Sequence, residues 1–246
     1  SVEAMAGQGV ELLAHDAIPE LMKAWRARIT APEGYEARVH LEHAPGVEGF
    51  DAASIAGMKV LMDHHDRFRL LALLQEGPSL TGAADLNAGL HALAWPLNGR
   101  GLPRELPFYP GEPVMMVRND YGRGLFNGDQ GLVVKVRRDG ATHREVVFWK
   151  EGRPVAFPLG PLLPDLALAY ALTVHKAQGS EFDAVAVVLP VADHPLLTRQ
   201  NLYTALTRAR KHALIVGDPA LPPIASRKEE RRATGLVELL AQSRSR

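Results

Sequence analysis

Apolar positions along this chain alternate between helical and strand-like spacing. Val10, Leu13, Ala14, Ala17, Leu21, Ala24 and Trp25 mostly recur every three or four residues, which predicts a helix over 9–28. Pro32, Gly34, Pro45, Gly46 and Gly49 then break the chain into turns before a second helical stretch, Ala52 to Asp66. The run Phe68-Arg69-Leu70-Leu71-Ala72-Leu73-Leu74 reads as a short buried strand, ended by Glu76-Gly77-Pro78. Thr81 or Asp85 can cap the next helix, which runs towards Trp95 and stops at Pro96.

From Pro107 to Pro164 the texture is all-β. Pro113 to Val117, Gly131 to Val136 and Arg144 to Trp149 are strand-like, with Asn127-Gly128 and Asp139-Gly140 as turn signals. Segments of that length and rhythm predict a small barrel. Beyond Pro164 the alternation returns: strands at Leu168–Leu172, Ala184–Leu189 and Ala213–Val216, a helical turn at Val174–Gln178 and a helix at Arg199–Lys211. Strands separated by helices imply a parallel sheet covered on its faces. The expected organisation is a connector over 1–66, an α/β domain over 67–106 and 165–246, and an inserted β module over 107–164.

Composition adds mostly exclusions. With 46% apolar and 23% charged residues the 246-residue chain is ordinary globular material, and it has no cysteine, so neither a disulfide framework nor a thiolate metal site exists. No apolar run is long enough to span a bilayer and no signal peptide opens the sequence, so the expected location is cytoplasmic, without a membrane. Net charge is zero, but its distribution is not even. Residues 1–66 hold 11 acidic and 5 basic side chains, and residues 199–246 hold 4 acidic and 10 basic. An anionic partner is therefore expected towards the C-terminal end.

Two segments there carry chemistry. Thr173-Val174-His175-Lys176-Ala177-Gln178-Gly179-Ser180-Glu181 follows one strand and precedes the next. A Thr and a His opening a helical turn at a strand end can bind phosphate together with backbone N–H groups. Gly179 permits close backbone approach, and Glu181 offers a carboxylate to a sugar hydroxyl. An ordinary capped turn with polar decoration fits the same residue types. The second segment is Leu202-Tyr203-Thr204-Ala205-Leu206-Thr207-Arg208-Ala209-Arg210-Lys211. On a helix, Leu202, Ala205, Leu206 and Ala209 form the buried stripe, and Thr204, Arg208 and Lys211 the opposite face. An Arg there suits bidentate phosphate contact, and a solvated basic face is the alternative.

Together, TVHKAQGSEFD and LYTALTRARK resemble motifs V and VI of superfamily 1 helicases, and most closely the RecD family, the alpha subunits of exodeoxyribonuclease V. LLALLQEGP with Asn87, and GEPVMMVRNDYGRGLFNGDQG (Gly111 to Gly131), resemble the same family in the same order, and the likeness extends past motif VI to Gly235-Leu236. The resemblance implies a second RecA-like motor domain interrupted by a small β-barrel, with a helical N-terminal connector. It implies ATP clasped against the protein's own N-terminal motor domain, 5′-to-3′ stepping on single-stranded DNA, and a complex with RecB-like and RecC-like subunits that processes double-strand breaks. By motif position, Arg208 would be the catalytic arginine finger, and Gly179 and Glu181 would join it at the ATP. Thr173 and His175, with Lys176 and Gln178, would face the DNA. Within the barrel, Arg118, Asn119 and the Phe126–Asp129 turn are the positions that strand guidance would use, with a purely structural turn as the favoured alternative.

The sequence has no G-x-x-x-x-G-K-[ST] and no apolar strand ending in Asp-Glu. The Mg²⁺ ligands and phosphate cradle are therefore expected outside this stretch, and the stretch alone is expected not to hydrolyse ATP. No metal site is expected within it. Asp63-His64-His65-Asp66 resembles a phosphoesterase metal signature, but neighbouring helical residues point in different directions. Leu214–Pro219 resembles helicase motif III but follows motif VI, so it reads as a last strand and its turn. No nuclease carboxylate cluster is present. The alternatives are a stand-alone RecD-like helicase and a non-catalytic scaffold of the same fold.

Overall fold

The computed structural model describes residues 9–31, 33–46 and 49–228. Gly235-Leu236 and the far part of the basic tail lie outside the described residues. Two sheets organise the rest. The first is five-stranded and wholly parallel, in the order β1 (Gly9–Leu13), β11 (Ala209–Val216), β10 (Phe182–Val188), β3 (Phe68–Ala72), β9 (Ala171–Thr173). Its central strands are near-continuous apolar runs because both faces are covered. Leu70 and Ala72 pack into one core, while Leu71, Val185 and Val187 pack into the other.

Three long helices and one short one flank or join these strands. In α1 (Ile18–Thr30), Ile18, Leu21, Met22, Trp25 and Ile29 are buried at spacings of three and four. The short α2 (Tyr35–His40) buries Tyr35 and Val39. Asp51 caps α3 (Ala52–Arg67) by accepting from the Ser54 N–H at 2.7 Å. The next helix, α4 (Ala83–Asn98), packs Leu86 and Leu90 onto the sheet. Its Asn87 reads β9 as a neighbouring strand would, donating to the Ala171 carbonyl at 2.9 Å and accepting from the Ala171 N–H at 2.8 Å.

The second sheet runs β7 (Arg153–Pro158), β6 (Ala141–Lys150), β5 (Gln130–Arg138), β4 (Pro113–Met116), β8 (Leu166–Leu168), with β2 (Glu42–His43) also pairing β5. Asp139-Gly140 joins β5 to β6 with both residues at positive φ, the geometry that a two-residue hairpin turn requires. Among the described residues this ladder is an open path from β7 to β8, so pairing does not close the expected barrel into a ring. Three short helical pieces complete the described chain: α5 (Leu159–Leu162), α6 (Arg199–Leu206) and α7 (Leu221–Arg227).

Several expectations change. Residues 9–13 are a strand rather than the start of a helix, because β11 offers a parallel ladder from Gly9–His212 to Leu13–Val216. Sequence spacing cannot reveal such a long-range partner. The described part of 1–66 is thus no separate helical connector: it adds one strand to each sheet and shares one core with β3 and β10. Helix α4 continues through Pro96 to Asn98, since a proline so near the end removes one bond only and Gly99 N–H still reaches Trp95 at 3.0 Å. Neither Thr81 nor Asp85 caps it; the cap position is Gly82. The single strand expected at 168–172 is two, β8 in one sheet and β9 in the other. Buried Arg69 stands at that switch and donates to the Ala169 carbonyl between them.

Candidate functional site

β9 ends at Thr173, and the chain turns immediately. Val174 and Ala177 are buried and anchor the turn, while His175, Lys176, Gln178 and Gly179 are exposed. Residues 174–179 form successive hydrogen-bonded turns rather than a helix: Ala177 N–H reaches Thr173 O at 3.1 Å, Gln178 N–H reaches His175 O at 3.2 Å, and Ser180 N–H reaches Ala177 O at 3.1 Å. The anion site expected at a helix start is therefore not a helix N-terminus. Thr173 Oγ1 itself accepts from the Lys176 N–H at 3.4 Å. Gly179 adopts φ +83°, and a Cβ there would meet nothing within 4 Å, so the backbone conformation is what requires glycine.

Thr173 and Lys176 open onto a cavity of about 220 Å³, shared with Gln75, Asn87 and Met115. Glu181 lies elsewhere. With Ser180, Phe182 and Asp183 it lines a larger cavity of about 520 Å³, whose other walls are Asp63, Asp66 and Arg67 of α3, Gln130 of β5, and Arg210. Within it Glu181 accepts from Arg210 Nε at 3.1 Å, both side chains being more than half exposed.

Helix α6 begins at Thr198, which caps it by accepting from Asn201 N–H at 3.2 Å, and buries Leu202 and Ala205. It ends at Leu206, not at Lys211. Arg208 sits in the following turn, and Arg210 and Lys211 are already on β11. The expected basic helical face therefore dissolves: Lys211 pairs with Asp183 at 2.9 Å, and Arg210 with Glu181. The cause is the ladder between β10 and β11, which the Arg208 backbone carbonyl starts by accepting from the Phe182 N–H at 2.8 Å.

Arg208 is nevertheless held firmly. Its Nε donates to the Thr204 carbonyl at 3.2 Å and one terminal nitrogen donates to the Ser180 carbonyl at 3.1 Å. Among the described residues no carboxylate pairs with it. A half-buried guanidinium oriented by neutral carbonyls keeps its charge available to an anion. The two segments read from sequence are thus joined at Ser180, while Thr173 and Lys176 face a different cavity.

A model of the UvrD-like helicase C-terminal domain matches residues 168–216, the stretch from β8 through β11. Over 186 residues the chain is 36% identical to the RecBCD enzyme subunit RecD of Mycobacterium tuberculosis, covering 76% of this chain and 31% of that protein. The chain belongs to the RecD family, as a C-terminal portion. It is also 40% identical over 171 residues to the ATP-dependent RecD2 DNA helicase of Deinococcus radiodurans, covering 69% of this chain and 23% of that one. This RecD-type chain thus spans about a third or less of the length of these relatives. A Bacteroides Pif1 helicase solved with ADP-AlF3 and single-stranded DNA overlaps it at 16% identity and a TM-score of 0.33, over 94% of this chain and 54% of that one, too loosely to bear on the site.

Sequence reasoning about this RecD-type chain missed Arg69. It is fully buried on β3, donates to Asp66 at 2.9 Å, to Gln130 at 3.0 Å and to the Ala169 carbonyl, and lies 4.9 Å from the Phe182 ring centroid. Asp66, Gln130 and Phe182 all line the larger cavity. The signal was a lone charge inside an apolar strand run, which is costly unless partnered. Asp63-His64-His65-Asp66 forms no cluster: Asp63 pairs with Lys59, Asp66 with Arg69, and both histidines are buried. Among the described residues no group of three His, Cys, Asp or Glu side chains is placed to hold a metal, and no helix is long and apolar enough to cross a membrane.

Proposed function

We propose that this chain supplies the second motor half of an ATP-dependent DNA helicase, with Arg208 as the finger that meets the transferring phosphoryl group. The observation that supports it most directly is the state of Arg208: oriented by the Thr204 and Ser180 carbonyls, without an acidic partner among the described residues, and next to the segment carrying Gly179 and Glu181. ATP fits that arrangement. The guanidinium would meet phosphoryl oxygens, and the exposed Glu181 carboxylate can leave Arg210 for a ribose hydroxyl. Mg²⁺ would be held by residues of the other motor half together with the phosphate cradle. Thr173, His175, Lys176 and Gln178 would contact the backbone of single-stranded DNA on the other side of the turn.

Within this reading the motor steps 5′ to 3′, acts in the cytoplasm, and serves double-strand break processing with RecB-like and RecC-like subunits. A second reading has its own support: the 40% identity to a protein named ATP-dependent RecD2 DNA helicase favours a stand-alone motor. Steady-state ATPase on saturating single-stranded DNA tests the core of the proposal. Residues 1–246 alone should show no stimulated turnover, and the intact protein should. Robust turnover by 1–246 would overturn the half-motor assignment. Activity of the intact protein without added subunits selects the stand-alone reading.

A further inference from the structure

The segment between β4 and β5 carries the most exposed large apolar side chain among the described residues, Tyr121, at 77%. Phe126, 48% exposed, meets it edge-on with ring centroids 6.2 Å apart. Two aromatic rings left in water beside each other lose the burial that normally stabilises them. This pair is not a consequence of a loose loop, because the loop is braced throughout. Asp120 and Leu125 exchange backbone hydrogen bonds at 2.7 and 2.9 Å. Asn119 accepts from Asn127 N–H at 2.8 Å and donates to the Tyr121 hydroxyl at 3.0 Å. Asp129 accepts from Phe126 N–H at 3.0 Å, and Lys150 ties Asp129 to the Gly124 carbonyl.

The charges around the rings are sorted. Asp120 and Asp129 turn inward to accept from backbone N–H groups of the loop, and the side chain of Asp120 is only 19% exposed. Arg118 stands out at 76% exposure against 30% for Asp165, its partner at 3.6 Å. Arg123, 40% exposed, is ion-paired with Asp120, and Lys150, paired with Asp129 at 2.8 Å, lies 5.5 Å from the Phe126 ring centroid. The loop therefore presents flat π-faces beside two guanidiniums that are each more exposed than the carboxylate paired with them. A nucleobase offers a π-face of the same kind, and its flanking phosphates offer the complementary charge.

We propose that Tyr121, braced edge-on by Phe126, is a stacking platform for a base of single-stranded DNA, with Arg118 and Arg123 meeting the adjacent phosphates. The kind of ligand rests on the DNA-motor reading above; the location on the second sheet does not depend on Thr173 or His175. A rigid platform spends little entropy on binding and, because every base has a π-face, shows no sequence preference.

The test is fluorescence anisotropy of the whole chain with two labelled strands of equal length, oligo-dT and a fully abasic strand. Wild type should prefer oligo-dT by about ten-fold, the effect of one stacked base. Tyr121→Ala should remove that preference and leave abasic affinity unchanged, and Tyr121→Trp should preserve it. Arg118→Ala with Arg123→Ala should weaken both strands alike. Thr173→Ala with His175→Ala should weaken both strands yet keep the preference, so a failure there counts against the motif segment and not the platform. Equal wild-type affinity for both strands, binding of neither, or wild-type behaviour of Tyr121→Ala overturns the platform.

Discussion

Arg208 donates to the Ser180 carbonyl at 3.1 Å, linking residues 28 apart in sequence and tying the turn after α6 to the segment that enters β10. Any anion that Arg208 meets is therefore fixed relative to Glu181 as well. In the intact protein, Arg208→Ala should lower DNA-stimulated ATP turnover by roughly 10³-fold or more, with DNA binding retained. Arg208→Lys should recover little, because an ammonium cannot donate in a plane to Ser180, Thr204 and a phosphoryl oxygen together. Arg210 is no neutral control, since it holds Glu181 at 3.1 Å and lines the same cavity. Its Ala variant should show an intermediate loss, read mainly as a raised KM for ATP. Arg153, exposed on β7, is the appropriate control and should tolerate Ala. Steady-state ATPase on the four variants checks the ordering.

Thr173 closes its own turn through the Lys176 N–H, and in the proposed function its hydroxyl would also meet a DNA phosphate. Thr173→Ser should keep both. Thr173→Ala with His175→Ala should weaken single-stranded DNA binding uniformly across sequences and shallow the salt dependence by about one unit of slope per lost phosphate contact. Binding isotherms across a salt series measure this. Unchanged slope with unchanged affinity would assign the turn a structural role only.

What was readable in the sequence and what was not divides by distance along the chain. Asp139-Gly140 announces its hairpin because the signal and its consequence are four residues wide. Leu202 and Ala205 announce the buried stripe of α6 for the same reason. The end of that helix was hidden because Arg210 and Lys211 find Glu181 and Asp183 29 and 28 residues away, just before and within a strand that only the folded sheet brings alongside. Residues 9–13 were misread for the same cause, their partner being β11. Of the site, motif order supplied the candidate residues. It could not convey that Thr173 and Glu181, eight positions apart, open onto separate cavities.

Arg69 joins both sheets through Ala169, Asp66 and Gln130. Arg69→Met keeps most of the volume and removes every donor. It leaves the Ala169 carbonyl buried without that bond and Asp66 without its cation, so the cost should be about 3 kcal/mol of folding stability. Urea unfolding of the chain measures it. Gln130→Ala removes one neutral acceptor and should cost only about 1 kcal/mol. Equal costs at the two positions would mean that Arg69 acts as packing, not as the strut between the sheets.

Buried His65 and half-buried His91 have opposite shifts and so act on the pH dependence of stability from opposite sides. His65 of α3 is 2% exposed and donates Nε2–H to the Gly111 carbonyl at 2.8 Å. Burial, with Arg26 and Arg69 nearby adding to it, pushes its pKa down to about 3, so it stays neutral in the fold. The unfolded chain takes up that proton near pH 6.5, so the folded state loses stability as pH falls from there towards 3, at up to about 1.4 kcal/mol per pH unit. His43 and His64, also lowered by burial, add to the same limb. His91 runs the other way. Burial opposes its charge, but the hydrogen bond and charge of the fully buried Glu112 outweigh that, helped by the Leu106 carbonyl on the other ring nitrogen, and its pKa is raised. Its contribution is complete below the unfolded value and is lost as pH rises through the folded one. Stability should therefore peak between the two limbs. His65→Gln, which keeps an N–H donor for Gly111, should flatten the acid limb between pH 6.5 and 5 and leave the alkaline limb alone, whereas His91→Gln should flatten the alkaline limb only. Urea unfolding at about pH 5, 6.5 and 8 separates the two. An acid limb of unchanged steepness in His65→Gln would mean that this ring is protonated in the folded chain and that its bond to Gly111 is made by an imidazolium.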